Sequence, residues 1–162
     1  MKKSTLKGIL ASAKERLYIQ RKADDTVRLT NGHWLVCLPV CEFDTPEFHG
    51  YLPAANGEYC FTFGTQGSTG CPDTDKVFPA DASILEELSE TKDLKDTSRD
   101  GGKHSYARKF NGGDVTLFLN EKYVDMVKDA VSPDRWAAKD ANSPAIATKD
   151  GAVVAIVMPM HV

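Results

Sequence analysis

Three short turn signals do most to limit what this chain can fold into. Asn31-Gly32, Asn111-Gly112-Gly113 and Lys149-Asp150-Gly151 each separate two runs rich in β-branched, aliphatic or aromatic residues. Asn, Asp and Gly accept positive φ at low cost, as a tight β-hairpin requires. A chain punctuated this way pairs neighbouring strands antiparallel. The runs that flank the turns are residues 26–30 and 33–38, 105–110 and 115–119, and 145–148 and 153–157. Asp24-Asp25 supplies a further turn after residues 17–21.

Two helices join these strands. Leu6, Ile9, Leu10, Ala13 and Leu17 fall on one helical face and predict a helix over residues 4–17. Asn120 is placed to cap a second helix over 121–131, which Ser132-Pro133 ends. Residues 136–139 begin the closing strands. The element order is α-β-β-β, an irregular middle, then β-α-β-β-β. The expected fold class is α+β: one domain over 1–162, with a first unit at 1–38, an inserted irregular region at 39–113 and a second unit at 114–162. Within the middle, residues 59–63 read as a strand, 64–72 as a loop, 82–88 as a helix capped by Asp81, and 93–103 as a polar loop.

Composition removes several function classes. The chain has 162 residues, 41% hydrophobic and 27% charged, as expected of a soluble globular protein. The expected location is cytoplasmic. No apolar run is long enough to span a membrane, and Lys7 and Gly8 interrupt the only stretch that imitates a signal peptide. Cys37, Cys41, Cys60 and Cys71 lack the paired short spacing of zinc sites and read as free, buried thiols in a reducing compartment. Asp96-x-Ser98-x-Asp100-Gly101 opens like a calcium loop, but its twelfth position is Ala107. Gly64, Gly67 and Gly70 lack the Lys-Ser/Thr ending of a phosphate loop. His33, His49, His104 and His161 show no metal-ligand spacing. Neither a catalytic constellation nor a cofactor is expected; an enzyme with a site in the middle region is the least favoured alternative.

The C-terminus is the most distinctive stretch. Residues 153–157 read as a buried strand, and Pro159, lacking an N–H, ends the ladder between Met158 and Met160. Thioethers at a chain end suit a surface that accepts varied apolar partners. The ending Val157-Met158-Pro159-Met160-His161-Val162 resembles that of the bacterial sliding clamp, the beta subunit of the replicative polymerase. The similarity extends over residues 114–162. It includes the strand and helix start in Asp114-Val-Thr-Leu-Phe-Leu-Asn-Glu-Lys-Tyr123 and the segment Asn142-Ser-Pro-Ala-Ile146. Residues 72–79 are similar to a segment that clamps place before a domain.

The resemblance implies a non-enzymatic, clamp-like protein that tethers or binds partners in bacterial DNA replication or repair, encoded by a phage or mobile element. In that family the tail forms part of a hydrophobic pocket for short peptides of polymerase and clamp-loader proteins. The matching residues are Val157, Met158, Pro159, Met160 and Val162, and His161 completes the expected peptide-binding segment. His161 stands where the family has arginine, which removes a permanent charge. The resemblance also implies sequence-nonspecific DNA contact by the first helix, through Lys2, Lys3, Lys7, Lys14 and Arg16. Against this, the second helix carries Glu121, Lys122, Asp125, Lys128 and Asp129, and the chain's net charge is −3. The alternative is a single-domain binding protein of clamp fold that has lost DNA and peptide binding. A full clamp ring uses six such domains, so a one-domain chain either forms a homo-oligomer or acts as a monomer. No membrane partner is expected.

Overall fold

The computed structural model describes residues 3–13, 16–43, 58–62, 65–67, 72–79, 82–98 and 104–162. The chain divides into two compact units, Met1–Pro79 and Ala80–Val162. The described residues form antiparallel strands with few helices, an α+β architecture.

In the first unit, helix α1 (Lys3–Ala13) precedes strands β1 (Arg16–Arg21), β2 (Thr26–Thr30) and β3 (Trp34–Pro39). A short helix α2 (Val40–Phe43), strands β4 (Glu58–Thr62) and β5 (Thr65–Gly67), and a 3-10 turn (Thr74–Val77) follow. The strand order is β5-β4-β1-β2-β3, every pair antiparallel. Ile19, Val27, Leu29, Val36 and Ile9 of α1 are wholly removed from solvent, and Trp34 is nearly so. The first helix is shorter than the sequence predicts. Leu17 lies in β1 opposite Phe61, because pairing on both edges draws residues 16–21 into the sheet. The Asn31-Gly32 turn is also wider than a two-residue hairpin: Thr30 pairs with Leu35. Only Gly32 takes positive φ, at 92°. The Asn31 carboxamide oxygen accepts from the backbone N–H groups of His33 (2.9 Å) and Trp34 (3.2 Å), so it holds the larger loop itself.

The second unit contains β6 (Glu86–Asp96), β7 (Tyr106–Gly112), β8 (Val115–Asn120), α3 (Glu121–Val131), β9 (Arg135–Ala138), β10 (Ala145–Lys149) and β11 (Ala152–Val157). Its strand order is β11-β10-β9-β6-β7-β8, again antiparallel. Phe110, Leu119, Val124, Val127, Ala147, Ala155 and Val157 are fully buried. Phe110 and Trp136 pack with ring centroids 5.4 Å apart.

The helix expected at 82–88 is a turn followed by the start of β6. Leu85 N–H donates to the Ala82 carbonyl at 3.3 Å, and Arg135 donates to the carbonyls of Ala82 (3.4 Å) and Leu85 (3.0 Å). Glu86, Glu87 and Leu88 then pair with Ala138, Ala137 and Trp136. Cross-strand pairing overrides the helix propensity of Leu-Glu-Glu-Leu. The expected cap, Asp81, lies outside the described residues. The polar loop expected at 93–103 begins later than expected, since β6 runs to Asp96 and Thr97 N–H donates to Ser105 at 2.8 Å. β5 falls within the loop expected at 64–72.

The two units share a pattern. Each has a helix followed by three antiparallel strands (α1-β1-β2-β3 and α3-β9-β10-β11). In each, the first of those three strands takes a further antiparallel partner, β4 or β6, on its other edge.

Candidate functional site

The C-terminal tail leaves β11 at Val157, which pairs with Ala145 and is fully buried. Pro159 cannot donate to a ladder, so the strand stops. Met160 N–H then donates to the Phe118 carbonyl of β8 at 2.8 Å. That bond fixes the direction of the tail and decides which side chains face out. Met158 is 41% exposed and Val162 42%, while Pro159 and Met160 are half-buried and His161 is exposed. Of the six residues singled out in the sequence, Val157 is therefore an anchor in the core. The other five present a partly apolar surface on a backbone held at both ends of the Met158-Pro159 step.

The basic residues singled out for DNA are placed differently. Lys2 and Lys14 lie outside the described residues. Lys3 lies on α1, and Lys7 is exposed on it. Arg16 is not on the helix: it opens β1, exposed, with Nη1 donating to the Tyr18 hydroxyl at 2.8 Å and its guanidinium 5.7 Å from that ring.

The charged face of α3 is less acidic in effect than its sequence implies. Asn120 caps the helix by accepting from Lys122 N–H at 3.0 Å, and Ser132 closes it in the left-handed region with φ 48°. Arg108 of β7 reaches the helix: its Nη2 donates to Glu121 at 2.7 Å and its Nη1 pairs with Asp125 at 3.2 Å. The same Nη1 donates to Glu90 of β6 at 2.6 Å, and Lys128 also pairs with Glu90. Burial by itself would raise the Glu90 carboxyl, but hydrogen bonds from Lys128 and Arg108 outweigh it and hold the group below the ordinary carboxylate range. Burial likewise opposes the charge on Arg108, and Glu121 and Glu90 more than offset it. Two of the helix's three acids thus answer a cation of the unit's own sheet.

Arg108 and Glu90 were not singled out from the sequence. The available signal was phase: Arg108 is two residues from the core residue Phe110 on β7, hence on the face that packs beneath α3.

Cys37 and Cys41 are free thiols, but not the buried ones expected from the sequence: Cys37 is half-buried and Cys41 exposed, and burial pushes the Cys37 thiol up. Among the described residues, no group of three or more His, Cys, Asp or Glu side chains is arranged to hold a metal ion. No described helix is long and apolar enough to cross a membrane.

No protein-family model matches the sequence, and no curated protein is similar to it. Among solved structures, the chain is similar to the DNA polymerase III subunit beta from Pseudomonas aeruginosa, at 15% identity and a TM-score of 0.47. The match covers 93% of this chain and 59% of that one, so the chain spans less than two thirds of that protein's length.

Proposed function

We propose that this chain is a non-enzymatic, sliding-clamp-like protein with a tethering or partner-binding role in DNA replication or repair. The tail carries the reading. Its Val157-Met158-Pro159-Met160 sequence resembles the clamp ending, and its backbone is pinned at Phe118 while Met158 and Val162 face solvent. A pinned backbone with free thioether and aliphatic groups is a preorganised half-site for two or three apolar anchors of an extended peptide. The partner class is therefore a short linear peptide of a replication or repair protein. DNA contact without sequence readout, through Lys7 and Arg16 together with Lys2, Lys3 and Lys14, belongs to the same proposal.

Fluorescence anisotropy with a labelled peptide carrying a generic clamp-binding motif tests the reading. Saturable binding is expected, with Met158→Ala weakening it about tenfold, as expected for losing one buried apolar anchor. Absence of saturable binding to the folded chain would instead favour the reading that a clamp-type fold has here lost its peptide site, in line with His161 standing in place of arginine.

A further inference from the structure

We propose that Gln20, Lys22 and Arg28 form a receptor for a short acidic peptide segment with an aromatic ring three residues after its carboxylate, and that residues 72–78 occupy it as a detachable strap.

The receptor is built by strand alternation. Gln20 of β1 and Arg28 of β2 are direct cross-strand partners, and Lys22, just past the end of β1, reaches the same Asp75 carboxylate as Arg28. Ile19, Val27 and Leu29 turn to the opposite side and are fully buried, so the core fixes this polar row from beneath.

The strap is held through the side chains of that row. Gln20 Nε2 donates to the Pro72 carbonyl at 2.8 Å, and the Thr74 hydroxyl donates back to Gln20 Oε1 at 2.5 Å. Arg28 Nη1 donates to the Thr74 hydroxyl oxygen (2.9 Å) and to Asp75 Oδ1 (2.5 Å). Lys22 Nζ reaches Asp75 Oδ2 at 2.8 Å. The Arg28 guanidinium also lies 4.0 Å from the centroid of the Phe78 ring. Gln20 and Thr74 are each only 3% exposed. One hydroxyl, one carboxylate and one ring are thus read at fixed spacing by three side chains of the sheet, which is how a linear motif is recognised.

The hold is built for exchange. Its contacts are chiefly polar, and polar groups recover hydrogen bonds to water on release, so their net worth is modest. The receptor does not depend on the strap, because the β1–β2 ladder places Gln20 and Arg28, and the Lys22 N–H bond to the Thr26 carbonyl (2.9 Å) ties Lys22 to β2. An external acidic-aromatic peptide therefore competes with residues 72–78, and its apparent affinity is reduced by the fraction of time the strap is closed.

The test uses the full chain and a fluorescein-labelled peptide of residues 72–79. A strap-weakened chain, Asp75→Asn with Phe78→Ala, is expected to bind the peptide saturably and at least about tenfold more tightly than the unaltered chain. Adding Arg28→Ala to that variant is expected to remove the gain, as is changing Asp75 to Asn in the peptide. If melting shows that the double variant does not fold, the single Phe78→Ala chain gives the same comparison. Equal binding to unaltered and strap-weakened chains, binding that ignores Arg28→Ala, or no saturable binding to a folded strap-weakened chain would each overturn the proposal.

Discussion

Arg108 decides the charge of its surroundings. It is 17% exposed and meets Glu90, Glu121 and Asp125. Removing it leaves three carboxylates without their common cation. Arg108→Ala is expected to lower stability by about 1–2 kcal/mol, the lower end applying to the exposed Asp125 pair, which water screens; urea denaturation measures it. The same network sets a pH dependence. The folded Glu90 carboxyl sits below its unfolded value, so its stabilisation is fully present above that unfolded value, about pH 4.3, and is lost as pH falls through the folded value. Thermal melts between neutral and acid pH are expected to show a loss that Glu90→Gln reduces. Gly112 is a second residue-scale constraint. A Cβ there would lie 1.8 Å from the Glu87 carbonyl oxygen, a backbone atom that cannot swing aside. Gly112→Ala is expected to cost about 1–3 kcal/mol through displaced backbone, read from the denaturation midpoint. A strand assignment for β7 gives no hint of this, because the close approach comes from β6, more than twenty positions earlier in the sequence.

At the scale of elements, what was legible depended on where the deciding partner lay. α3 has the bounds its sequence predicts, Glu121–Val131, because cap, apolar period and stop are all local. Asn120→Ala is expected to cost about 1 kcal/mol by orphaning the Lys122 N–H, measurable as a lowered melting temperature and reduced helical ellipticity. β2 was equally readable, because the Asp24-Asp25 and Asn31-Gly32 turn signals bound it on both sides. Residues 82–88 were not, since their helix-forming residues are claimed by β9, which enters the chain some fifty residues later, and by the Arg135 guanidinium. The Asn31-Gly32 turn was legible as a reversal but not as a loop, because the competing choice was made by one carboxamide. For the candidate site the same division holds. The tail sequence announced an apolar chain end, yet only the Met160–Phe118 bond shows which of its residues face outward.

At the scale of the whole molecule, the question is whether a chain of net charge −3 holds a polyanion. Repulsion averaged over the surface opposes binding, so any affinity for DNA must come from a local row of cations, and such affinity is sensitive to salt. Contact confined to Lys2, Lys3, Lys7, Lys14 and Arg16 neutralises at most five phosphates per chain. With a slope of about −0.9 per phosphate on duplex DNA, affinity is expected to fall by at most about 500-fold between about 50 and about 200 mM salt. Lys7→Glu with Arg16→Glu removes two of the five cations and is expected to flatten that slope by about 1.8. Arg16 is already engaged with Tyr18, so a flattening of only about 0.9 would mean that Lys7 alone meets phosphate. An unchanged slope would move the contact elsewhere, and no measurable binding even at low salt would remove DNA from the proposal while leaving the peptide site standing. Anisotropy titrations with a labelled duplex at several salt concentrations, with light scattering on the same samples, distinguish these outcomes. Scattering also shows whether the chain meets DNA singly or assembles on it. Chains that assemble add their cations, so a slope steeper than these five residues allow reports assembly when it comes with a larger scattered mass, and contact by further cations of one chain when it does not.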